Sequence, residues 1–340
     1  MNYQEVIEQA RTCIGSYCKA CSICNGKACR NQIPGPGAKG VGDTAMRNYD
    51  KWQEIRINMD TICENTAPDT GLELFGKRFS YPFFAGPVGA VTLHYSDKYD
   101  DQAYNNILVK ACSENGIAAF TGDGTNPEVM RAACAAIEAS GGMGVPTVKP
   151  WNIDTIREKM DLCRASGCFA VAMDIDAAGL PFLKNMTPPA GSKTVEELAE
   201  IAQLAGLPFV VKGVMTVRGA LKAREAGAAG IVVSNHGGRV LDQCSATAEV
   251  LGEIADALKG SGMKILVDGG IRSGVDVFKA LALGADAAII CRPFVTAVYG
   301  GAEEGVKLYI EKIGAELKDA MAMCGAKDLA SISRDMLHMK

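Results

Sequence analysis

Short apolar runs alternate with amphipathic stretches along most of the chain. The apolar runs predict eight β-strands, at residues 82–85, 118–121, 145–149, 170–176, 209–212, 230–234, 264–268 and 287–291. Helical periodicity between them predicts helices at residues 105–115, 127–139, 153–166, 195–205, 217–226, 246–259, 274–283 and 303–323. Apolar strands that alternate with helices are typical of a parallel sheet buried on both faces. Eight such units predict an α/β protein with a (β/α)8 TIM barrel, and an open doubly wound sheet is the alternative.

The first 80 residues do not follow this repeat. They contain an amphipathic helix pattern, then a cysteine-rich segment, then the run QIPGPGAKGVGD, whose glycines and prolines are typical of an irregular loop. We expect residues 1–80 to form an N-terminal extension packed on a barrel of residues 81–340. An independent N-terminal domain is the alternative.

Composition limits the classes of function. The 340 residues are 48% hydrophobic, enough for one large barrel core. The net charge is −4 and no basic block is present, so neither nucleic acid nor an anionic membrane is an expected partner. No apolar run reaches the roughly 18 residues that span a bilayer, and the first residues lack a signal-peptide pattern. We therefore expect a cytoplasmic protein.

The segment IVVSNHGGRVLD, residues 231–242, carries the clearest chemistry. It places His236 and Arg239 on a turn that follows an apolar strand and contains Gly237 and Gly238. Ionisable residues at the carboxyl end of a barrel strand are typical of a catalytic site. A histidine titrates near neutral pH and suits a general base, and a guanidinium can pair with a carboxylate through two hydrogen bonds.

The loops after the seventh and eighth predicted strands predict a phosphate site. In TIM barrels these two loops often hold a phosphate. Glycines let backbone N–H groups approach an anion, and arginines bind phosphate oxygens. An ordinary turn with solvated arginines is the alternative. The residues concerned are Asp268, Gly269, Gly270, Arg272, Cys291 and Arg292.

Together with VVKG before it and LVDGGIRSG after it, this segment resembles the FMN-dependent 2-hydroxy acid oxidase and dehydrogenase family, which includes glycolate oxidase, lactate oxidase and flavocytochrome b2. The resemblance is close from about residue 207 onward. It implies oxidation of a 2-hydroxy acid, lactate- or glycolate-like, to the 2-oxo acid. His236 would take a proton from the 2-hydroxyl or the α-carbon, flavin N5 would accept the hydride, and Arg239 would bind the substrate carboxylate.

The resemblance also assigns the flavin contacts. Lys212 matches the lysine that stabilises negative charge on the reduced flavin, and Asp176 matches the aspartate that orients the catalytic histidine. Asp268 would accept hydrogen bonds from ribityl hydroxyls. Besides the phosphate loops, the implied flavin-binding residues are Pro87, Val88, Gly89, Thr121, Lys212, Ser234, His236, Gly237 and Arg239.

The substrate half departs from the family pattern. The tyrosine expected on the third strand is missing, and the segment VPTVKPW offers Lys149 and Trp151 instead; Asp174 stands where a threonine is usual. The second substrate arginine is missing from AAGLP, residues 177–181, and the N-terminal tyrosine has no clear match. Lys149 could replace the lost positive charge. Asp174, expected on the same side of its strand as Asp176, could bind a cationic or hydroxylated group of the substrate or pair with Lys149.

The N-terminal cysteines have metal-ligand spacing. Cys18, Cys21, Cys24 and Cys29 form two successive CxxC spacings followed by a fourth thiol. Four thiolates can hold a zinc ion or an iron–sulfur cluster. Reduced, unligated thiols are the alternative. The remaining cysteines are expected to be mostly buried small hydrophobic residues.

The leading hypothesis is therefore an FMN-dependent oxidoreductase whose electrons pass to oxygen, a quinone or a protein carrier. One alternative is an FMN-dependent isomerase resembling type 2 isopentenyl diphosphate isomerase, which does not use the histidine of NHGGR. The other is a non-catalytic flavin or metal redox sensor. Resemblance to the oxidases also implies a homo-oligomer.

Overall fold

A closed barrel of eight parallel strands forms the centre of the protein. The structure, a computed structural model, describes residues 1–180, 183, 185 and 190–339. The barrel strands are β1 (Phe83–Ala85), β2 (Ala119–Thr121), β3 (Gly144–Val148), β4 (Val171–Asp174), β5 (Phe209–Val214), β6 (Gly230–Val233), β7 (Lys264–Val267) and β8 (Ala287–Ile290). Strand β8 pairs with β1, with Ile290 opposite Ala85, and this pairing closes the sheet. The predicted (β/α)8 barrel is confirmed and the open-sheet alternative is wrong.

The strand sequences account for the barrel. Strands β6, with sequence GIVV, and β8, with sequence AAII, are buried at every position. One face of each strand fills the barrel interior while the other packs beneath the helices, which favours apolar side chains on both faces. Because all eight strands are parallel, their carboxyl ends open at one mouth. Residues that follow different strands therefore meet there.

Helices surround the barrel. Side chains cap the first turns of several of them; Thr194 and Ser273, for example, each accept a hydrogen bond from the backbone N–H three residues later. The helices are α1 (Tyr3–Arg11), α2 (Asp43–Glu54), α3 (Asp101–Glu114), α4 (Pro127–Ala139), α5 (Ile153–Ala165), α6 (Val195–Ala205), α7 (Val217–Glu225), α8 (Thr247–Leu258), α9 (Gly274–Ala282) and α10 (Arg292–Met323). A four-residue helix, Val91–His94, follows β1.

The last helix differs from its prediction. It begins at Arg292, eleven residues before the predicted start at 303, and is interrupted at Ala302, which has φ 46°. The residues before this interruption, from Pro293 to Gly300, are all buried. A helical segment that is apolar on every side shows no amphipathic period, so the pattern missed it.

The N-terminal segment packs directly on the barrel. Helix α1 lies on α10, where the rings of Tyr3 and Tyr309 stack with centroids 4.9 Å apart. Helix α2 reaches the barrel mouth, where Trp52 Nε1 donates to the carbonyl of Gly269 at 2.8 Å. The boundary placed at residue 80 remains a prediction. The extension nevertheless supplies residues to the mouth of the barrel.

Short elements complete the chain. Strand Arg56–Ile57 pairs with strand Leu337–His338, and Leu72–Leu74 pairs with Lys77–Phe79, both antiparallel. Single 3-10 turns occupy Ile175–Gly179, His236–Gly238, Leu329–Ser331 and Arg334–Met336. Within the described ranges, no helix combines the length and apolar character needed to cross a bilayer.

Candidate active site

A cleft opens at the carboxyl ends of the strands. It encloses about 1330 Å³ of space, counting its open mouth. The predicted residues that line it are Pro87, Val88, Gly89, Lys149, Asp174, Lys212, His236, Gly237, Arg239, Asp268, Gly269, Gly270, Arg272, Cys291 and Arg292. Thr121, Ser234 and Asp176 do not line the cleft. Ser234 and Asp176 instead contact residues that do.

His236 lies on a strained turn directly after β6. Its φ is +55°, a left-handed value that is uncommon for a residue with a Cβ, and Gly237 and Gly238 continue in the same region. The turn is held on both sides: the His236 N–H donates to Ser234 Oγ at 3.1 Å, and Nδ1 lies 2.9 Å from Asp176 Oδ1. Strain of this kind persists only where the surroundings fix the conformation.

The His236–Asp176 pair is set for proton transfer. Burial lowers the pKa of His236, and the Asp176 carboxylate offsets only part of that effect. Burial alone would raise the pKa of Asp176, but His236 and Lys212 lower it below its ordinary value. At neutral pH the carboxylate is therefore ionised and accepts Nδ1–H from a neutral ring. This tautomer leaves Nε2 unprotonated and able to take a proton.

The two aspartates converge for a different reason than predicted. Strand β4 ends at Asp174, so the expected alternation along a strand through residue 176 is wrong. Asp176 instead lies in the 3-10 turn Ile175–Gly179. The turn still brings ligand atoms of Asp174, Asp176 and His236 within 4.8 Å of one another. It needs a glycine beside it, because a Cβ on Gly213 would lie 2.6 Å from Asp176 Cγ.

Lys212 is a buried cation in β5, two residues before the end of the strand. Its Nζ lies 3.0 Å from Ser234 Oγ and 3.3 Å from Asp268 Oδ2. Burial alone would lower the pKa of this ammonium, but the nearby carboxylates, that of Asp268 above all, raise it above its usual value. The cleft therefore keeps a fixed positive charge at the position predicted for the flavin.

Lys149 and Asp174 form a buried ion pair, with Nζ 2.5 Å from Oδ2. Of the roles considered for Asp174, pairing with Lys149 is the one observed in the structure. Asp123, which sequence reasoning missed, fixes the backbone of Lys149. Its carboxylate accepts from Lys149 N at 3.1 Å, Trp151 Nε1 at 2.6 Å and Lys159 Nζ at 2.7 Å. An acidic residue after β2, in TGDG, was the available signal.

The N-terminal glycine–proline loop crosses the substrate end of the cleft. Arg239 Nη1 donates to the carbonyls of Gly35 and Gly37, the latter at 3.0 Å. The Gly35 N–H donates to His94 Nδ1 at 3.1 Å. His94 lines the cleft, although no motif marked it. The arginine missing from residues 177–181 has no counterpart there; Pro181 in that stretch lies outside the described residues.

The end of the cleft predicted to bind a phosphate contains two arginines and two helix starts. Arg272 and Arg292 both line the cleft, and α9 and α10 begin beside them, where a helix N-terminus favours an anion. The glycines of DGG also allow helix α2 to pack closely against this loop. Gly270 has φ +86°, and a Cβ there would lie 2.1 Å from the carbonyl oxygen of Asn48 on α2.

Buried polar atoms at the barrel mouth lack partners, which tests whether FMN fits. Thr121 Oγ1, Thr147 Oγ1, Asp174 Oδ1 and Asp268 Oδ1 have no hydrogen-bond partner in the described part of the chain. Buried polar atoms are normally satisfied, and Asp174 and Asp268 line the cleft, so their two oxygens indicate a polar ligand there. Thr121 and Thr147 do not line the cleft, and their hydroxyls carry no such indication. The polar groups of FMN supply partners for the carboxylates, and the arginines suit its phosphate. The residues that line the cleft therefore fit FMN.

The predicted metal centre is not supported. Among the described residues, only Asp174, Asp176 and His236 bring three or more potential ligand atoms within 4.8 Å of one another, and lysines already neutralise that group. The sulfurs of Cys18, Cys21, Cys24 and Cys29 form no such group.

Their surroundings explain the difference from the prediction. Burial raises the pKa of Cys18 to about 12, which keeps a thiol rather than a thiolate. Burial would also raise the pKa of Cys24, but the Arg272 and Arg292 guanidiniums lower it. Arg272 Nε further donates to the Cys24 carbonyl at 2.6 Å, so the positive charge beside Cys24 comes from arginine side chains.

Comparison with known proteins covers most of the chain. The profile of the FMN-dependent dehydrogenase family matches residues 36–187 and 182–339. The 4-hydroxymandelate oxidase of Amycolatopsis orientalis is 45% identical over an alignment of 357 residues, covering 91% of this chain and 95% of that protein. A peroxisomal (S)-2-hydroxyacid oxidase of Arabidopsis thaliana is 46% identical over 143 residues, 42% of this chain and 38% of that protein.

The fold matches solved structures as well. The crystal structure of mandelate oxidase superposes with a TM-score of 0.80 at 26% sequence identity, covering 100% of this chain and 98% of that chain. A flavocytochrome b2 variant with pyruvate bound superposes with a TM-score of 0.75 at 23% identity, covering 88% of this chain and 80% of that chain. This second likeness concerns the fold alone.

Proposed function

Because the chain belongs to the FMN-dependent dehydrogenase family, we propose that it oxidises a 2-hydroxy acid to the corresponding 2-oxo acid with His236 as the base. The observation that carries the proposal is the 2.9 Å contact between His236 Nδ1 and Asp176 Oδ1 at the cleft. The relatives of this chain are named as oxidases, which favours this function over the isomerase and sensor alternatives.

Asp176 prepares His236 for the proton. Its carboxylate accepts the Nδ1–H and so fixes the tautomer in which Nε2 is unprotonated. The same carboxylate stabilises the imidazolium that forms when Nε2 takes the substrate proton. The strained turn contributes by fixing the ring before substrate arrives. No reorganisation of the base is then needed at the moment of reaction.

Lys212 provides the electrostatic part of the site. Bound FMN supplies the acceptor for the hydride equivalent, and that transfer adds negative charge to the ring. The Lys212 ammonium, fixed by Ser234 and Asp268, is placed to stabilise this charge. Its raised pKa keeps it charged across the working range of the enzyme.

The substrate end suits a carboxylate beside a polar or aromatic side group. Arg239 and Lys149 provide positive charge, and Asp174 Oδ1 has no partner among the described residues. That oxygen would accept a hydrogen bond from a hydroxylated substrate. A relative named for 4-hydroxymandelate supports adding aryl acids to the lactate- and glycolate-like candidates.

The test is an anaerobic visible spectrum of the FMN-loaded protein before and after adding (S)-mandelate, 4-hydroxymandelate, lactate and glycolate in turn. We expect at least one acid to bleach the flavin bands, and the 2-oxo product to appear in equal amount. Flavin bands that survive the whole panel, with turnover of isopentenyl diphosphate, would favour the isomerase instead.

Three further features stay within the proposal. The electrons pass to oxygen, a quinone or a protein carrier, which reoxidation of the bleached enzyme by each acceptor distinguishes. We infer a homo-oligomer from the resemblance to the oxidases, and size-exclusion chromatography with light scattering measures it. A cytoplasmic location is inferred from the sequence and is tested by fractionation of the source cell.

A further inference from the structure

His94 is an ionisable residue in the cleft that the proposed mechanism leaves unused. It ends the short helix Val91–His94, which follows β1, and lies close enough to Arg239, Lys149 and His236 to feel their charges. These neighbours place it at the substrate end. Lys212 and Asp268 mark the flavin end of the cleft.

The contact with Gly35 fixes which nitrogen of His94 carries the proton. A backbone N–H can only donate, so Nδ1, which receives the Gly35 N–H at 3.1 Å, is unprotonated. Burial, with the Arg239 and Lys149 charges, lowers the pKa of His94 to about 3, so the ring is neutral near neutral pH. The remaining proton is therefore on Nε2. Among the described residues, none accepts a hydrogen bond from Nε2–H.

One residue, Gly35, links His94 with Arg239. Gly35 donates its N–H to His94 Nδ1 and accepts Arg239 Nη1 on its carbonyl. Both side chains line the same cleft, each with N–H groups that these contacts do not use. The Gly35 backbone takes φ +125°, and a Cβ there would lie 2.9 Å from Tyr17 Cβ. The bridge is thus rigid and depends on glycine.

We propose that His94 binds the substrate carboxylate through Nε2–H, alongside the unused N–H groups of Arg239. The inference rests on the proposed function and deepens it by naming a further specificity-determining residue. It also explains how the site compensates for the missing second arginine and strand-three tyrosine. A neutral donor adds a hydrogen bond without placing another cation beside Arg239 and Lys149, whose charges already repel.

Two substitutions separate the two nitrogens of His94. In His94→Asn the side-chain oxygen stands near the Nδ1 position and can accept from Gly35, while the Nε2 donor is lost. In His94→Gln the amide nitrogen stands near the Nε2 position and restores the donor. The probes are pyruvate and oxalate, whose binding to the FMN-loaded protein is followed by perturbation of the flavin spectrum. Flavin content and melting temperature are recorded for each variant.

We expect His94→Asn to raise the dissociation constants of both probes about tenfold or more, since a hydrogen bond to a charged group is lost. His94→Gln should bind within about threefold of the unsubstituted protein. With an acid that reduces the flavin, KM should rise in His94→Asn while the limiting rate of reduction changes little.

Wild-type affinity in His94→Asn would overturn the proposal, as would equal weakening in both variants, which would indicate a general disturbance of the loop. Should His94→Asn fail to fold, a His94→Gln variant that binds the probes more than about tenfold weaker overturns it. Failure of the proposed function looks different: no acid reduces the flavin of the unsubstituted protein. Probe binding that still depends on Nε2–H would then leave the carboxylate site standing.

Discussion

The flavin end and the substrate end of the cleft are assembled differently. At the flavin end, Lys212 in β5 contacts both Ser234, which follows β6, and Asp268, which follows β7. At the substrate end, Arg239 is held by the carbonyls of Gly35 and Gly37, more than two hundred residues earlier in the chain.

This difference indicates which end of the cleft tolerates sequence variation. Neighbouring strand ends must meet at the mouth of a closed parallel barrel, so the flavin end is fixed once the barrel forms. The substrate end depends on which loop crosses the mouth and which side chains it engages. A family can therefore keep its cofactor chemistry and change its substrate by altering loops alone.

The largest effect is expected from His236→Ala, which lies between the two ends. Removing the base should slow flavin reduction by about 10²- to 10⁴-fold while FMN stays bound. Anaerobic rapid-mixing absorbance measures the rate, and flavin content measures the cofactor. His338→Ala, at an exposed position near the end of the chain, is the matched control. A His236→Ala enzyme that reduces flavin at the normal rate would refute the assigned base.

Lys212→Met tests whether the flavin end works as one charged unit. It removes the cation that neutralises Asp268, so we expect FMN affinity and reduction potential to fall. The free energy of unfolding should drop by about 3–5 kcal/mol, since a buried charge is left unpaired. Fluorescence titration, potentiometry and denaturant unfolding provide the three readings.

The control for this variant is Lys264→Met, which breaks a half-exposed pair with Asp286 outside the cleft. Exposed pairs contribute little, so its effect should stay within about 1 kcal/mol. Lys212 would lose its proposed role if both variants bound FMN alike and had unchanged potentials.

Asp176→Asn sharpens the role of the carboxylate behind the base. Asp176 raises the pKa of His236 against the effect of burial, so its loss should lower that pKa further. Because the neutral imidazole is the active form, the acid limb of the reduction rate should move to lower pH. The plateau rate should fall by about 10²-fold, as the imidazolium loses its partner. An acid limb that moves to higher pH would contradict this account.

Sequence reasoning located the flavin end well, for a physical reason. Lys212 lies near the end of an apolar strand, and Asp268 and His236 follow two other strands within three residues. A parallel barrel places all such positions at one mouth. Lys212, His236 and Asp268 were accordingly predicted where the structure has them. Their roles remain proposals, but their convergence follows from topology.

The substrate end could not be predicted in the same way. His94 and Asp123 matter through contacts with Gly35 and Lys149, which are distant in sequence and follow no spacing rule. The metal prediction was unsupported for a related reason: CxxC spacing indicates available thiols, but it does not determine whether the fold brings their sulfurs together. Such partners are set by tertiary packing.

Lys149→Gln tests the substrate end without touching the base. We expect KM for the acid to rise about tenfold, since one positive charge near the carboxylate is lost, while FMN affinity is kept. The variant should also be less stable, because Asp174 is left buried and unpaired. The double variant Lys149→Gln/Asp174→Asn should recover the stability but not the KM. If KM is unchanged in the single variant, Lys149 serves only to neutralise Asp174.

The smallest expected effect is a pH-dependent difference in stability at His94. Its folded-state pKa of about 3 lies below the ordinary value of 6.5, so the unfolded chain binds a proton that the folded protein excludes. This contribution is intact above pH 6.5 and is lost progressively as the pH falls toward 3. His94→Asn does not titrate, so its melting temperature relative to the unsubstituted protein should rise by about 2 °C between pH 7 and pH 5. Carboxylates common to both proteins cancel in that difference. A difference in melting temperature that stays constant with pH would mean that His94 is solvated. The substrate end would then be more accessible to water than the buried flavin end.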